Sequence, residues 1–456
     1  MTAAQLPESG LGVVSASDAP ARPGSLPRRR FAERLSAALR IAVLMLVATL
    51  SAMAIGEVAL RLLDQSYYWA VSKRPDALLG WRPAPNVAAW QRFEGQALVR
   101  TNQLGFRDRD HDPTAGPGVL RVAVLGDSFT AAVQVPIEQT WWRVMEARLN
   151  AMDCVPDGRF EAQSFAVSGY STAQSLLAWR SIAAAYKPDA VVLAFFVGND
   201  LNENTPLLDH DPLRPYLRLD DQGQLVVDDR FHASPEYRFK QSWLGRGIDW
   251  LMVRSRILQT LVQVRHVWRT QHPAKPDLRT ANPKAVGEPA PAVAQGRNEP
   301  HEPGVDNGIF RPPTDPAWQD AWAVTKAMLT AFADEVRAAG ARPLLMVIGT
   351  GAQVHPNARA RQQFATAIGV EDLGYPLRRL SAIAADVGLP VLNLPALMAP
   401  AAEQQGRPLY GFDNAIRGFG HWNADGHQSA GTEAAMAICT LLTNPADVPA
   451  GTNTAP

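Results

Sequence analysis

The chain has 456 residues, 46% of them hydrophobic, enough apolar content for a large core. Lysine plus arginine and aspartate plus glutamate number 44 each, so no excess charge points to a nucleic acid or an acidic polymer as partner. The two cysteines, Cys154 and Cys439, are too few and too widely spaced for a metal knuckle or a disulfide framework; pairing in an oxidising compartment and two buried free thiols both stay open.

Residues 1–27 are rich in Ala, Ser, Gly and Pro and read as disordered. Arg28, Arg29, Arg30, Arg34 and Arg40 follow, with Glu33 the only acid among them. An uncharged run then extends from Ile41 to Ile55. Carried on to Leu63 it is long enough for a bilayer, which about 20 residues cross. Arginines before such a run place the amino terminus in the cytoplasm. The expected organisation is a disordered cytoplasmic arm over 1–40 and a single transmembrane anchor over 41–63, with the rest beyond the inner membrane, in the periplasmic or extracytoplasmic space. Two alternatives compete. Ala52-Met53-Ala54 has the small-x-small pattern of a cleaved signal peptide, against which stands the long lead of about forty residues. A buried core helix is the other, which the flanking arginines oppose.

The lead-in over 64–117 carries Tyr67, Tyr68, Trp69, Trp81, Trp90, Phe93 and Phe106. Turn signals at Arg74-Pro75-Asp76 and Pro83-Ala84-Pro85-Asn86 divide it into short strand-like pieces. It reads as a membrane-proximal layer or a substrate-side flap. From Val119 to Leu125 a short β-branched run predicts a buried strand, closed by Gly126-Asp127-Ser128-Phe129-Thr130. A helix is predicted over Glu138–Ala151, with Trp141, Trp142, Met145 and Leu149 on one face. Strand Phe160–Val167 ends at Ser168-Gly169-Tyr170-Ser171-Thr172, and a helix runs from Thr172 to Tyr186. Strand Ala190–Val197 is wholly apolar, as expected when both faces are covered, and ends at Gly198-Asn199-Asp200. Residues 205–316 form an insertion, with a helical piece over Trp243–Trp268 and a Pro/Ala/Gly-rich flexible loop over 273–313. Regular periodicity resumes with a helix over Ala317–Ala339, strand Arg342–Gly349, a helix over Gly374–Val387 and strand Pro390–Leu394. Gly420-His421-Trp422-Asn423-Ala424-Asp425-Gly426-His427 precedes a last helix through Leu442, and 445–456 form a disordered tail.

The pattern predicts an α/β fold: a flavodoxin-like, doubly wound, five-stranded parallel sheet with helices on both faces, over residues 118–444. Parallel strands joined by helices bring the three polar strand-end loops to one sheet edge, where ligands bind. A serine there is either a nucleophile or a helix cap. As a nucleophile it needs a base, and a histidine is the usual one. The developing oxyanion needs donors: the Ser128 amide, the amide of Gly169 and the side-chain amide of Asn199. His421 is the candidate base. His427 falls on the last helix and reads as a satisfied structural histidine; His111, His355 and the histidines of the insertion have no partner pattern and read as surface residues. Asp127 and Asp200 have the look of metal ligands but read as acceptors for loop amides, so neither a metal nor a cofactor is expected.

These four blocks resemble the SGNH hydrolase family of the GDSL type, matching Ser128, Gly169, Asn199 and His421 in order, over roughly 118–204 and 318–442. The resemblance implies ester or acyl chemistry through an acyl-serine, with Ser128 and His421 catalytic and Ser128, Gly169 and Asn199 lining the oxyanion hole. With the anchor and the insertion, it implies a membrane-tethered enzyme cleaving O-acetyl or similar esters on an envelope carbohydrate or lipid. The alternatives are an O-acyltransferase of an extracytoplasmic polysaccharide and a non-catalytic binding module. One departure stands out. The family places an aspartate three residues before the histidine, and Gly418 occupies that position. Asp413 and Asp425 lack the spacing, which leaves the third member open; a Ser–His dyad with a backbone carbonyl holding the imidazole is one workable arrangement.

Overall fold

The structure is a computed structural model and describes residues 26–271 and 299–443. The disorder read from sequence over 1–25, 272–298 and 444–456 lies outside the described residues. Helix Leu26–Leu62 is longer than the expected anchor, because residues 26–40 continue the same helix instead of forming part of a disordered arm. Within it, Glu33–Leu62 is long and apolar enough to cross a membrane, and it is the one such helix among the described residues.

Five strands form the central sheet: β1 (Val119–Leu125), β2 (Arg159–Ser164), β3 (Ala190–Phe196), β4 (Arg342–Ile348) and β5 (Val391–Asn393). Their order is β2-β1-β3-β4-β5 and every pairing is parallel. The α/β architecture predicted from periodicity is therefore present, with helices around the sheet. All of β3 is buried, which explains its unbroken apolar sequence. The chain leaves β1 for β2 on one side and then crosses to β3 on the other. This reversal opens a crevice at the carboxyl edge of β1.

The helices match their predicted spans to within a few residues, and the helix after β2 ends at Ser181, followed by a 3-10 turn over Ala183–Tyr186. Trp141, Trp142, Met145 and Leu149 are all buried. Helix Trp141–Ala151 packs on Ala424–Thr443 across Gly431, where a Cβ would lie 2.4 Å from the Trp141 carbonyl oxygen. Close helix packing therefore requires glycine there. Cys154 and Cys439 join the same two regions in a disulfide, settling the alternative that composition left open. Among the helices that escape the sequence reading, two follow β4. Ala358–Ala367 buries only Ala365 and so lacks an apolar stripe. Leu394–Gln405 contains Pro400, which masks its helical character.

The lead-in forms two antiparallel hairpins, Arg74–Asp76 with Gly80–Arg82 and Ala88–Gln91 with Ala97–Arg100. The insertion contains a third, Tyr216–Leu219 with Leu225–Asp228, and helices Pro235–Gln241, Trp243–Arg254 and Arg256–Gln271. Residues 299–313, expected to belong to a flexible loop, are instead packed: Ile309 and Phe310 are buried, and the Glu302 carboxylate accepts from the amides of Gly351 (3.0 Å) and Ala352 (2.9 Å).

A native disulfide is typically worth about 2–4 kcal/mol, and about 2–4 °C per kcal/mol applies to a domain of this size. Cys439→Ser should therefore lower the melting temperature by roughly 5–15 °C in differential scanning calorimetry. The unreduced wild type should show no free thiol with Ellman's reagent in guanidinium.

Candidate active site

Gly126 ends β1 at φ +151°, where a Cβ would lie 2.7 Å from Thr130 Oγ1 and 3.0 Å from the Ala194 carbonyl. The strand can turn here only with glycine. Asp127 caps the short helix Ser128–Ala131 by accepting from the Phe129 amide at 2.9 Å. Ser128 opens that helix, so its amide has no intrahelical acceptor. Its hydroxyl lies 2.8 Å from His421 Nε2 and 3.3 Å from Asp127 Oδ2.

His421 is held from three sides. Its carbonyl accepts from Gly411 at 2.8 Å, and Trp422 bridges to Tyr410, whose hydroxyl donates to the Gly349 carbonyl at 2.7 Å. Phe129 packs its ring 5.0 Å from the imidazole. The third hold is Glu94, which the sequence reading did not select. Its Oε1 accepts from the His421 amide at 2.7 Å and its Oε2 lies 2.5 Å from His421 Nδ1. This fork assigns the proton to Nδ1 and leaves Nε2 free to accept from Ser128. The third member that the sequence leaves open is thus Glu94, in a hydrogen-bonded relay Ser128–His421–Glu94. Burial raises the Glu94 pKa, but the hydrogen bonds and charge of His421 outweigh it and hold the carboxyl below its ordinary value of 4.5.

The reason the acid comes from elsewhere is local. Gly418 and Gly420 lie at φ +87° and +84°, a conformation that an aspartate adopts only under strain. A Cβ on Gly420 would come within 2.3 Å of Glu94 Oε1. Asp413 and Asp425 turn away to pair with Arg417 and Arg407. Glu94 itself sits in the loop between the second pair of lead-in strands. Asn414 fastens that loop, accepting from the Gly95 amide at 2.9 Å and donating to the carbonyls of Arg92 and Gly95 at 3.2 and 2.9 Å.

The remaining predicted residues lie in the loops after β2 and β3, on either side of β1. Gly169 has φ +80°. Asn199 precedes the turn Asp200–Glu203 and donates to Glu203 Oε1 at 3.2 Å. Arg214 of the insertion ties the two loops together. Its Nη1 donates to the Gly169 carbonyl at 2.9 Å and lies 3.3 Å from Glu203 Oε2, while Nε bonds Asp209 at 2.6 Å. Burial is the main cause raising the carboxyls here: Asp127 to about 6, Glu203 to about 8, and Asp200 well above its ordinary value, helped by its acidic neighbours. Asp127 and Asp200 accept from the amides of Phe129 and Phe196, as expected.

Among the other histidines, His427 is buried with its pKa depressed to about 3 by desolvation, then by Arg107 and His421. It packs edge-on against Trp422, but neither ring nitrogen has a hydrogen-bond partner among the described residues, so it is structural without being satisfied. His111, expected at the surface, is buried between Asp108 (2.9 Å) and Glu161 (2.7 Å).

No family model and no curated protein matches the chain. Solved structures similar to it include the acetyl xylan esterase AlAXEase, at 12% identity and TM-score 0.34, covering 70% of this chain and 100% of that one. TesA is 14% identical at TM-score 0.30, covering 71% and 99%. The acetylxylan esterase Axe2 from Geobacillus stearothermophilus is 11% identical at TM-score 0.32, covering 73% and 97%. The likeness is one of fold.

Because the folded-state pKa of Glu94 is depressed, its bond to His421 stabilises the protein above the ordinary carboxylate range and is lost as pH falls through the depressed value. Wild type should melt higher than Glu94→Gln near pH 6, and the gap should close on acidification below 4.5. A gap independent of pH over that interval would contradict the assignment.

Proposed function

We propose that this protein is a serine esterase that removes acyl groups, O-acetyl or similar in size, from an envelope carbohydrate or lipid. The observation that carries the reading is the continuous hydrogen-bonded line Ser128–His421–Glu94 at the carboxyl edge of the sheet. A serine capping a helix has no use for a histidine at 2.8 Å backed by a carboxylate. The same line weighs against a non-catalytic module, whose main support was the missing acid.

In the first half-reaction His421 Nε2 takes the Ser128 hydroxyl proton as Oγ bonds to the acyl carbon. The carbonyl electron pair moves onto oxygen, facing the amides of Ser128 and Gly169 and the Asn199 side chain. Collapse of the tetrahedral intermediate breaks the bond to the alkoxy group, which receives the proton from His421 and leaves as an alcohol. In the second half, His421 deprotonates water as it attacks the acyl-serine, and the carboxylic acid departs with Ser128 regenerated. Glu94 stays ionised throughout, fixes the ring's tautomer and stabilises the imidazolium. The cation of Arg214, paired with Glu203 and Asp209, keeps unscreened negative charge away from the oxyanion.

The apolar helix near the amino terminus supports a single-pass anchor through residues 41–63, and the arginines before it support a cytoplasmic amino terminus. The paired cysteines suit an oxidising compartment beyond the inner membrane. An O-acyltransferase would use the same serine with a sugar hydroxyl replacing water in the second half-reaction.

A fluorophosphonate probe should label the wild type and leave Ser128→Ala unlabelled; no labelling of wild type, or equal labelling of both, would refute the serine mechanism. With p-nitrophenyl acetate, Glu94→Ala should lower kcat by about 10³–10⁴ with little change in KM, the scale seen when an orienting acid is removed from a serine triad.

A further inference from the structure

The insertion carries a surface that ester chemistry does not explain. On helix Trp243–Arg254, Trp243, Leu244, Ile248, Trp250 and Leu251 recur at helical spacing and all are exposed, Trp243 by 81%. On Arg256–Gln271, Leu261 and Val264 are each 60% exposed. The opposite faces pack inward: Gly245 is buried, Val253 packs against the cluster of Tyr68 and Val71, and Gln259 is buried. The two helices thus have a satisfied inner face and an apolar outer one. Among residues 243–271 there are five arginines (246, 254, 256, 265, 269) and a single acid, Asp249, which is paired with Arg74.

The inner face is bonded to the last turn of the apolar helix and to the residues that follow it. Arg61 donates to the Arg254 carbonyl. The Tyr67 amide donates to Gln259 Oε1 at 3.3 Å, and Trp69 Nε1 donates to Gln263 Oε1 at 2.5 Å. A tryptophan-bearing apolar stripe flanked by arginines, fixed to the residues at the end of an anchor, has the composition of an interfacial element. Buried packing would not tolerate the arginines, and a solvent-facing helix would not present two exposed tryptophans among aliphatic residues.

We infer that the outer face of the helices Trp243–Arg254 and Arg256–Gln271 lies in the headgroup layer of the bilayer that the amino-terminal helix enters, on the side occupied by the folded domain. The inference rests on the anchor reading above. The apolar side chains enter the acyl boundary, and Arg246, Arg254 and Arg265 meet anionic headgroups. The consequence for the site is orientation. Trp90 and Arg92 bond Ser66 and Asp64, just past the anchor, at 2.6–3.2 Å, and Glu94 follows two residues later. A foot on the lipid would hold the acid-bearing loop, and with it the relay, in a fixed attitude to the membrane.

The test uses the full chain reconstituted in vesicles of phosphatidylcholine and phosphatidylglycerol, with bimane attached to single introduced cysteines; the native pair is disulfide-bonded and does not react. Trp243→Cys and Val264→Cys should be quenched about twofold by lipids carrying a shallow doxyl group. Met45→Cys reports the anchor by quenching with deep doxyl lipids, and the exposed Met436→Cys serves as the lipid-free reference. Quenching at 45 with positions 243 and 264 as unquenched as 436 would overturn the inference while leaving the anchor intact. Lack of quenching at 45 would overturn the anchor and the inference with it. Protection of 243 and 264 from both lipid quencher and aqueous iodide would assign the face to a second copy or another protein and equally overturn it.

Discussion

The site depends on one forked contact: the two oxygens of Glu94 grip the backbone amide and the ring of the same histidine. A carboxylate bonded only to the ring would leave the loop free to drift, and one bonded only to the amide would leave the ring free to flip. Gripping both fixes the position of His421 and its tautomer together, so that Nε2 points at Ser128. The cost is that residues 94, 128 and 421 must converge from three distant parts of the chain. The glycines around His421 are there for that convergence, since Gly420 leaves the space that Glu94 occupies.

That convergence changes how the lead-in is understood. Its sequence reads either as a membrane-proximal layer or as a substrate-side flap, and the structure has it supplying the carboxylate that bonds His421. Its second hairpin is bonded to Asp64 and Ser66 at one side and delivers Glu94 to His421 at the other. Asn414 closes the arrangement by bonding that hairpin loop from the His421 side. In the proposed reaction the acid therefore belongs to the part of the domain nearest the anchor in sequence, and the base to the part farthest from it.

What was legible in the sequence follows the range of the forces involved. The five strands, their order of appearance and the loops at their ends are written in local periodicity, so Val119–Leu125 and Ala190–Phe196 could be read directly. Ser128 and His421 were legible because each follows a local signature. Glu94 was not, because nothing around Phe93-Glu94-Gly95 differs from an ordinary turn; its partner is 327 residues away. Residues 299–313 failed for a related reason: proline and glycine suggested looseness, while a single buried carboxylate, Glu302, pins the segment to Gly351 and Ala352. His111 was misjudged because one of its two partners, Glu161, comes from β2, 50 residues on.

The acids near Asn199 pose an electrostatic problem that the insertion resolves. Asp127 and Glu203 stand close enough to raise the pKa of Asp200, and Asp127 that of Glu203, and three ionised carboxylates would oppose any anion forming at Ser128. Burial removes part of that charge by favouring the protonated forms. Arg214 offsets more of it and, through the Gly169 carbonyl, also constrains the loop after β2. Since Arg214 is itself buried and bonded to Asp209, it cannot withdraw without stranding charges in a low-dielectric interior. This part of the insertion is therefore a fixed wall of the site.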